Sequence, residues 1–172
     1  VTTIRGKGPI GFASVRCAYL AEGATLAGFT LTNGATWDSF SGRDDTGGGA
    51  WCAGQGATLI GCILTGNSSS DYGGGSYAGF LNGCLLTGNT AFEGAGAYNS
   101  LLTGCSVAKN QATFGHGGGT VNGALTNCIV YFNLASAEAN VSGGSVSHSC
   151  TVPLPPGPGN MTNNPMFANL AA

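Results

Sequence analysis

The chain has 172 residues, the length of one ordinary domain. Charged residues make up 7% of it, against a usual ~25%, and 32 residues are glycine, well above the usual share of about 7%. With 42% hydrophobic residues it has the apolar mass to pack, which excludes a disordered chain, but it lacks the charged shell of a compact globule. Five Lys and Arg in all and a net charge of −2 exclude the basic face that nucleic acid requires, and no run of 18 apolar residues marks a membrane span.

In chain order, Val1-Thr2-Thr3-Ile4-Arg5 reads as a strand with no signal-peptide pattern, so the chain is expected to lie inside a larger protein. Leu26-Ala27-Gly28-Phe29-Thr30-Leu31-Thr32 is the first copy of a repeat. Later copies are Leu59 to Asn67, Leu81 to Asn89, Leu102 to Asn110 and Leu125 to Asn133, each centred on a cysteine. Cys62, Cys84, Cys105, Cys128 and Cys150 follow one another at steps of 22, 21, 23 and 22 residues. The step from Phe29 to Cys62 is 33, so that coil carries about 11 extra residues, expected between Ala35 and Thr46. A glycine block precedes each cysteine: Gly47 to Gly49, Gly73 to Gly75, Gly94 to Gly96, Gly117 to Gly119, and Gly143-Gly144.

A repeat of ~22 residues cannot bury a core alone, so neighbouring copies must stack. Leu, Cys and a following aliphatic residue recur at strand spacing, and glycines mark the corners. These features predict an all-β parallel β-helix of six to seven coils over residues 1–150, with a loop insertion near 35–46 and a tail, 151–172, capping the C-terminal end. Leucine-rich repeats would need a helical return, and calcium-binding nonapeptide repeats would need Asp in each turn; neither pattern is present. Three ladders are expected along the axis. One is the cysteines, continued by Phe29. A second is Asn67, Asn89, Asn110 and Asn133, whose amides can bond from coil to coil. The third is Leu26, Leu59, Leu81, Leu102 and Leu125, taken as core.

In-register neighbours stand about 4.8 Å apart, whereas a disulfide needs Cβ atoms near ~3.8 Å, so the cysteine ladder is read as free thiols. Cys17 and Cys52 share a local context, Val15-Arg16-Cys17 and Ala50-Trp51-Cys52, and either a disulfide between them or two free thiols is open. No Cys/His spacing fits a structural metal site.

With these ladders in place, the chain resembles the pectate-lyase-like right-handed parallel β-helix superfamily over residues 1–150. More narrowly, its Gly-Gly-Gly-Ala, Leu-x-x-Cys and Gly-Asn units are similar to repeat regions of bacterial secreted and cell-surface proteins, including the polymorphic outer-membrane-protein repeats. The resemblance implies the right-handed sense and an extracellular or cell-surface location. It implies that Met166 and Phe167 cover the open end of the core. It also implies that an enzyme of this kind would carry clustered Asp, or Asp, Lys and Arg with calcium, on the outward face of one sheet.

The outward columns expected for that sheet are Thr30, Ile63, Leu85, Ser106, Ile129 and Thr32, Thr65, Thr87, Ala108, Tyr131, with no acid or base among them. Glycoside hydrolysis needs two carboxylates ~5–9.5 Å apart, so the face favours a structural role. The turn before each glycine block is the other candidate. There Asp44, Asp45, Asp71, Tyr72, Glu93 and His116, with Arg43 on the insert, are expected along one edge, where they read as solvated turns or as a sugar or calcium site. Trp51, Tyr77 and Tyr98 share one column; inward they are core, and outward they are a platform for sugar rings. Val121 and Val146 continue that column and favour core. Trp37 and Phe40 sit in the insert, where exposed aromatics mark a contact. A flat threonine ladder for ice is broken by Ala108 and Tyr131.

The expectation is therefore a structural or adhesive β-solenoid segment that contacts glycans, without a required cofactor. The alternative is a carbohydrate-active enzyme, a polysaccharide lyase or hydrolase. Unpaired strand edges at the N-terminal face are expected to support head-to-tail self-association.

Overall fold

The computed structural model describes residues 2–38 and 44–166. Among them every regular element is a short strand and no helix forms. The strands lie in three main parallel sheets that wind around one core. The seven-stranded sheet runs from Thr2–Arg5 through Phe29–Thr32, Ile63–Thr65, Leu85–Thr87, Ser106–Ala108 and Ile129–Tyr131 to Cys150–Thr151. The aromatic sheet has six strands: Ala18–Leu20, Ala50–Cys52, Ser76–Tyr77, Ala97–Tyr98, Thr120–Val121 and Val141–Ser142. The leucine sheet has six: Thr25–Ala27, Thr58–Ile60, Phe80–Asn82, Leu101–Thr103, Ala124–Thr126 and Ser145–Ser147. Thr90–Ala91 and Gln111–Ala112 add a two-stranded pair at a turn. The architecture is thus the expected parallel β-solenoid.

Each sheet sends one set of columns inward. Leu31, Leu64, Leu86, Val107 and Val130 stack in the seven-stranded sheet, with Thr151 ending the column. Leu59, Leu81, Leu102, Leu125 and Val146 stack in the leucine sheet. Ala50, Ser76, Ala97 and Thr120 line the aromatic sheet. Burying each Leu contributes roughly 1.5–3 kcal/mol, so the leucine columns carry most of the apolar stabilisation.

Chain reversal is concentrated at corners with left-handed backbone. One corner column holds Gly66, Gly88, Lys109 and Phe132, at φ of 62, 64, 58 and 57°. Glycine adopts this conformation without strain, while Lys109 and Phe132 bear a steric cost there. The last glycine of each block answers a different demand. A Cβ at Gly75 would strike the Gly96 carbonyl, and one at Gly96 would strike the Gly119 carbonyl. Below these glycines runs the asparagine ladder. Asn89 Nδ2 donates to Asn110 Oδ1 at 2.9 Å, and Asn110 Nδ2 donates to Asn133 Oδ1 at 3.0 Å. Each Oδ1 also accepts a backbone N–H, as from Asn89 N to Asn110 at 3.0 Å. The side chains thereby satisfy backbone groups sealed from water at the corner. The ladder is longer than expected, because Asn140 Oδ1 accepts from Asn133 Nδ2 at 3.1 Å. At its other end Asn67 Oδ1 accepts from Gly34 N–H at 2.9 Å and from the Cys17 thiol at 3.4 Å.

Three expectations need correction. Cys150 is out of the cysteine column: it pairs with Ile129, and Ser149 takes the place above Cys128, with its Oγ accepting from Cys128 N–H at 3.0 Å. The coil is one residue shorter than the cysteine count implied. Cys17 and Cys52 are free thiols. Their strands align Ala18 with Ala50 and Leu20 with Cys52, so Cys17 sits three strand positions away from its supposed partner. The eleven extra residues also divide. Ala35 bridges to Ser68, and Asp45 is back in register with Asp71, so seven of them fall between Ala35 and Asp45. The other four lie between Trp51 and Leu59, where the loop wraps the Glu22 carboxylate and Gly56 N–H donates to it at 3.0 Å.

The C-terminal end is closed by Val152 to Pro156 and by Met161, which bridges to Cys150 and donates its N–H to the Ser149 carbonyl at 2.9 Å. Met166 is 81% exposed, so it does not cover the core as the resemblance implied, and Phe167 lies outside the described residues.

Candidate functional site

The outward columns of the seven-stranded sheet hold the residues expected, Thr30, Ile63, Leu85, Ser106 and Ile129 beside Thr32, Thr65, Thr87, Ala108 and Tyr131, in register. The first strand of the sheet adds Thr3 and the exposed Arg5 to these columns, the one charged residue on them among the described residues; they hold no carboxylate. Much of the acidic and basic chemistry gathers at the turn between the seven-stranded and aromatic sheets.

At this turn Asp71 N–H donates to the Asp45 carbonyl at 3.1 Å, and Phe92 N–H donates to the Asp71 carbonyl at 2.9 Å. Tyr72 bridges to Glu93, and Gly94 N–H donates to the His116 carbonyl at 3.2 Å. The columns Asp45–Asp71–Phe92 and Tyr72–Glu93–His116 thus run side by side along one edge. Burial raises the Asp71 carboxyl above its usual range, reinforced by the negative charges of Asp45 and then Glu93. The Tyr72 hydroxyl is raised first by the Asp71 charge and then by burial. His116 pairs with Glu138 at 3.4 Å, with both side chains more than half exposed, a contact worth ~0–1 kcal/mol.

Two clefts open on this edge. The first, of about 270 Å³, is lined by Phe12, Ser14, Arg16, Thr36, Trp37 and Asp44. The second, of about 230 Å³, is lined by Asp38, Asp45, Ser70, Asp71 and Phe92. Consecutive residues divide between them, Trp37 and Asp44 in one, Asp38 and Asp45 in the other. Trp37 N–H donates to the Asp44 carbonyl at 3.0 Å and closes the base of the insert, while Ser70 Oγ donates to the Trp37 carbonyl at 2.6 Å. Exposed ring pairs flank the clefts. Phe12 and Trp37 meet edge to face at 5.0 Å, and Phe92 and Phe114 stack at 6.2 Å. Arg43, expected beside the acids, lies outside the described residues, as does Phe40.

The aromatic column faces outward, which corrects the core packing its expected valines favoured; of these Val146 is not in the column at all but stacks on Leu125 in the leucine sheet, and Ser142 follows Val121. Ala50 and Cys52 flank Trp51 and are buried, as are Ser76 and Ala78 around Tyr77, so alternation turns the rings away from the core. Val121 follows in the column and is buried beside the glycine turn at Gly117. Tyr19 extends the column at its other end. Tyr19–Trp51, Trp51–Tyr77 and Tyr77–Tyr98 stand 5.0, 6.2 and 5.8 Å apart, at interplanar angles of 9, 10 and 5°. Parallel rings at this spacing are offset-stacked, so their faces meet one another, and Trp51, Tyr77 and Tyr98 are half-buried. The stack ends at Tyr19, 53% exposed, and at Tyr98, which Val121 follows in the column. Tyr72 stacks on Tyr98 at 4.4 Å and joins this column to the acidic edge.

The sequence picked out Trp37, Asp44, Asp45, Asp71, Tyr72, Glu93 and His116, and the fold places them along this edge. It missed Phe12, Ser14, Arg16, Asp38, Ser70, Phe92 and Phe114. Phe12 comes from an excursion closed by the antiparallel Lys7–Val15 bridge, which no repeat marks. Tyr19 had a signal, the small-aromatic pair shared by Ala18-Tyr19, Ala50-Trp51, Ser76-Tyr77 and Ala97-Tyr98. Among the described residues no group of three His, Cys, Asp or Glu side chains is arranged to hold a metal ion. Comparison of the chain with family models, with curated proteins and with solved structures finds no match.

Proposed function

We propose that this chain is a structural and adhesive β-solenoid segment of a bacterial secreted or cell-surface protein, of the pectate-lyase-like right-handed type, that contacts glycans along its turn edge. One observation carries the reading: exposed rings and carboxylates converge on the two adjoining clefts, while the outward columns of the seven-stranded sheet hold no carboxylate and Arg5 as their one base among the described residues. Rings such as Phe12, Trp37 and Phe92 offer apolar faces to sugar C–H groups, and Asp38, Asp44 and Asp71 accept hydrogen bonds from hydroxyls. The stacked Tyr19–Tyr98 column adds stiffness beside the edge more than it adds a flat platform. A glycan array tests the proposal. Saturable binding to a defined glycan, weakened by Trp37→Ala and Phe92→Ala, is the expected result. No signal above a heat-unfolded control overturns it.

A second reading, a carbohydrate-active enzyme, has the raised Asp71 carboxyl beside Asp45 in its favour, since a general acid needs such a shift. Release of reducing sugar or unsaturated product from any polysaccharide, lost in the D71N variant, would replace the adhesive reading with this one. Self-association through the N-terminal strands belongs to the same proposal. Thr2–Arg5, Ala18–Leu20 and Thr25–Ala27 are the terminal strands of their sheets, and Ile4 and Leu26 are only partly buried there. Light scattering across concentration should show growth of mass, and a constant monomer mass would refute it.

A further inference from the structure

Cys150, displaced from the cysteine rung, meets two other soft donors. Because Ser149 fills that rung, Cys150 falls on the outward column in register with Ile129 and is no part of the buried core cluster. It is still only 9% exposed, because the tail crosses over it. The Cys150 thiol donates to the Asn163 carbonyl at 2.9 Å, and the Tyr131 hydroxyl donates to the Thr162 carbonyl at 3.0 Å.

The tail segment Gly159-Asn160-Met161 runs beside His148-Ser149-Cys150. His148 N–H donates to the Pro158 carbonyl at 2.8 Å, Met161 N–H to the Ser149 carbonyl at 2.9 Å, and Thr151 N–H to the Met161 carbonyl at 3.0 Å. Cys150 and Met161 are thus a parallel bridge pair, roughly 4.8 Å apart, whose side chains leave the same face. His148 leans toward the tail as well. A Cβ added at Gly159 would stand 3.2 Å from His148 Nε2 and 2.6 Å from its Cδ2, so the ring covers the glycine two positions before Met161. All three residues line one cleft of about 400 Å³ between sheet and tail, and its other lining residues are uncharged.

Packing does not explain the set, since Met161 is 52% exposed and His148 is exposed too. As metal donors the three agree. Thiolate and thioether sulfur select monovalent copper, which imidazole also suits. Zinc draws on thiolate, imidazole and carboxylate, and calcium on oxygen. Charge selects the same ion. One thiolate neutralises one monovalent copper, whereas a divalent ion would keep a positive charge in a cleft with no carboxylate.

We propose that His148, Cys150 and Met161 form a three-coordinate site for one monovalent copper ion. The Cys150 S–H bond breaks, its proton passes to water, and the sulfur bonds the copper. The imidazole nitrogen and the thioether sulfur donate lone pairs. Copper stays monovalent throughout, so the step needs no oxidant or reductant. The tail supplies Met161 and shields the thiolate from bulk water.

Copper(I) is the probe, added without oxygen to the whole chain in competition with a chromophoric copper(I) chelator. Wild type should withdraw one equivalent, and copper X-ray absorption should show two sulfur neighbours and one nitrogen. The C150S variant should lose this copper, while C17S, which removes the half-buried thiol elsewhere, should keep it. M161L and H148N should each weaken affinity by at least about tenfold. Both should keep the wild-type urea midpoint, because both side chains are exposed and asparagine tolerates the left-handed backbone at position 148. They carry the test if C150S fails to fold. A wild type that withdraws no copper overturns the proposal. So does copper retained by C150S, copper lost in C17S, or an affinity that either M161L or H148N leaves unchanged.

Discussion

Removing one rung of the asparagine ladder tests how the corner is held. In the wild type Asn110 Oδ1 accepts from Asn89 N–H at 3.0 Å and from Asn89 Nδ2 at 2.9 Å. Its Nδ2 donates to the Leu86 carbonyl at 3.0 Å and to Asn133 Oδ1 at 3.0 Å. Asn110→Ala strands the Asn89 N–H, which is sealed from water, at a cost of about 1–3 kcal/mol. The other three bonds lose about 1 kcal/mol each, because their remaining partners keep other contacts. Asn89 Nδ2, for example, still donates to the Leu64 carbonyl at 2.9 Å. The expected loss is about 4–6 kcal/mol, a large share of the ~5–15 kcal/mol that holds a domain folded. With a urea slope of about 2 kcal/mol/M the midpoint should fall by about 2–3 M, read by circular dichroism. Thr65→Ala, an outward position in the same coil stack, is the control and should move the midpoint by less than about 0.3 M. The Asn110→Asp variant adds a sign test. A carboxyl at this buried position is pushed above its unfolded value of ~3.9. Its penalty is therefore absent below that value and complete above the folded one, so the variant should regain stability as pH falls. A midpoint for Asn110→Ala within 0.5 M of the Thr65→Ala control would refute the account, leaving the ladder an ornament of a fold held by its leucines.

Three further outcomes follow from the same structure. Lys109 occupies a left-handed corner at φ 58° where Gly66 and Gly88 stand in neighbouring coils, so Lys109→Gly should raise the urea midpoint by the equivalent of about 1 kcal/mol; a decrease would show that the lysine's contacts outweigh its strain. Asp71 is raised in the folded state by burial, Asp45 and Glu93, so its ionisation opposes folding progressively as pH climbs from the unfolded value through the folded one. The D71N variant should thus match wild type at pH 3 and exceed it at pH 7, and equal stability at both would contradict the crowding of charge at the edge. Native protein treated with a thiol reagent at pH 8 should label Cys17 first, the half-buried thiol of the set, while Cys52, pushed up to about 12 by burial, and the ladder cysteines wait for unfolding; early labelling of Cys84 or Cys105 would mean that the core opens locally.

The stacked coils were legible because each column repeats one residue type through consecutive coils. Cys62 to Cys128 and Asn67 to Asn133 fall in register as their spacing implied. The errors arose where identity and register part company. Cys150 looks like the next rung, yet the coil before it is one residue short and Ser149 fills the rung. Cys17 and Cys52 share a residue type, yet Tyr19 and Trp51 are the residues that align. The direction of the aromatic rings was hidden for a related reason. Left-handed corners such as Ala78 and Asn99 reset the alternation between one sheet and the next, so inward and outward cannot be counted across a corner from the cysteine. The clefts were beyond sequence reading because Phe12, Asp38 and Phe92 come from three different coils and meet only through stacking.

The placement of the departures from the repeat is itself informative. A stack of near-identical coils presents the same surface at every level, so regular positions cannot build a site of defined size. Local irregularity is needed for that. The excursion at Lys7 to Val15 and the base of the insert, closed by Trp37 and Asp44, both lie on the edge that carries Asp45, Asp71 and Glu93, and Phe12 and Trp37 bring exposed rings to the first cleft. The four-residue bulge after Trp51 differs, since it closes on the Glu22 carboxylate and serves its own backbone. Two of the three loop irregularities therefore converge on one edge, and that edge holds the raised carboxyl and the exposed aromatic pairs. If the edge were only a solvated turn, deleting the Lys7 to Val15 excursion and joining its base should leave glycan binding untouched. If the excursion builds the site, the same deletion should abolish binding while the urea midpoint changes little, because Phe12, at 88% exposure, contributes almost nothing to the core.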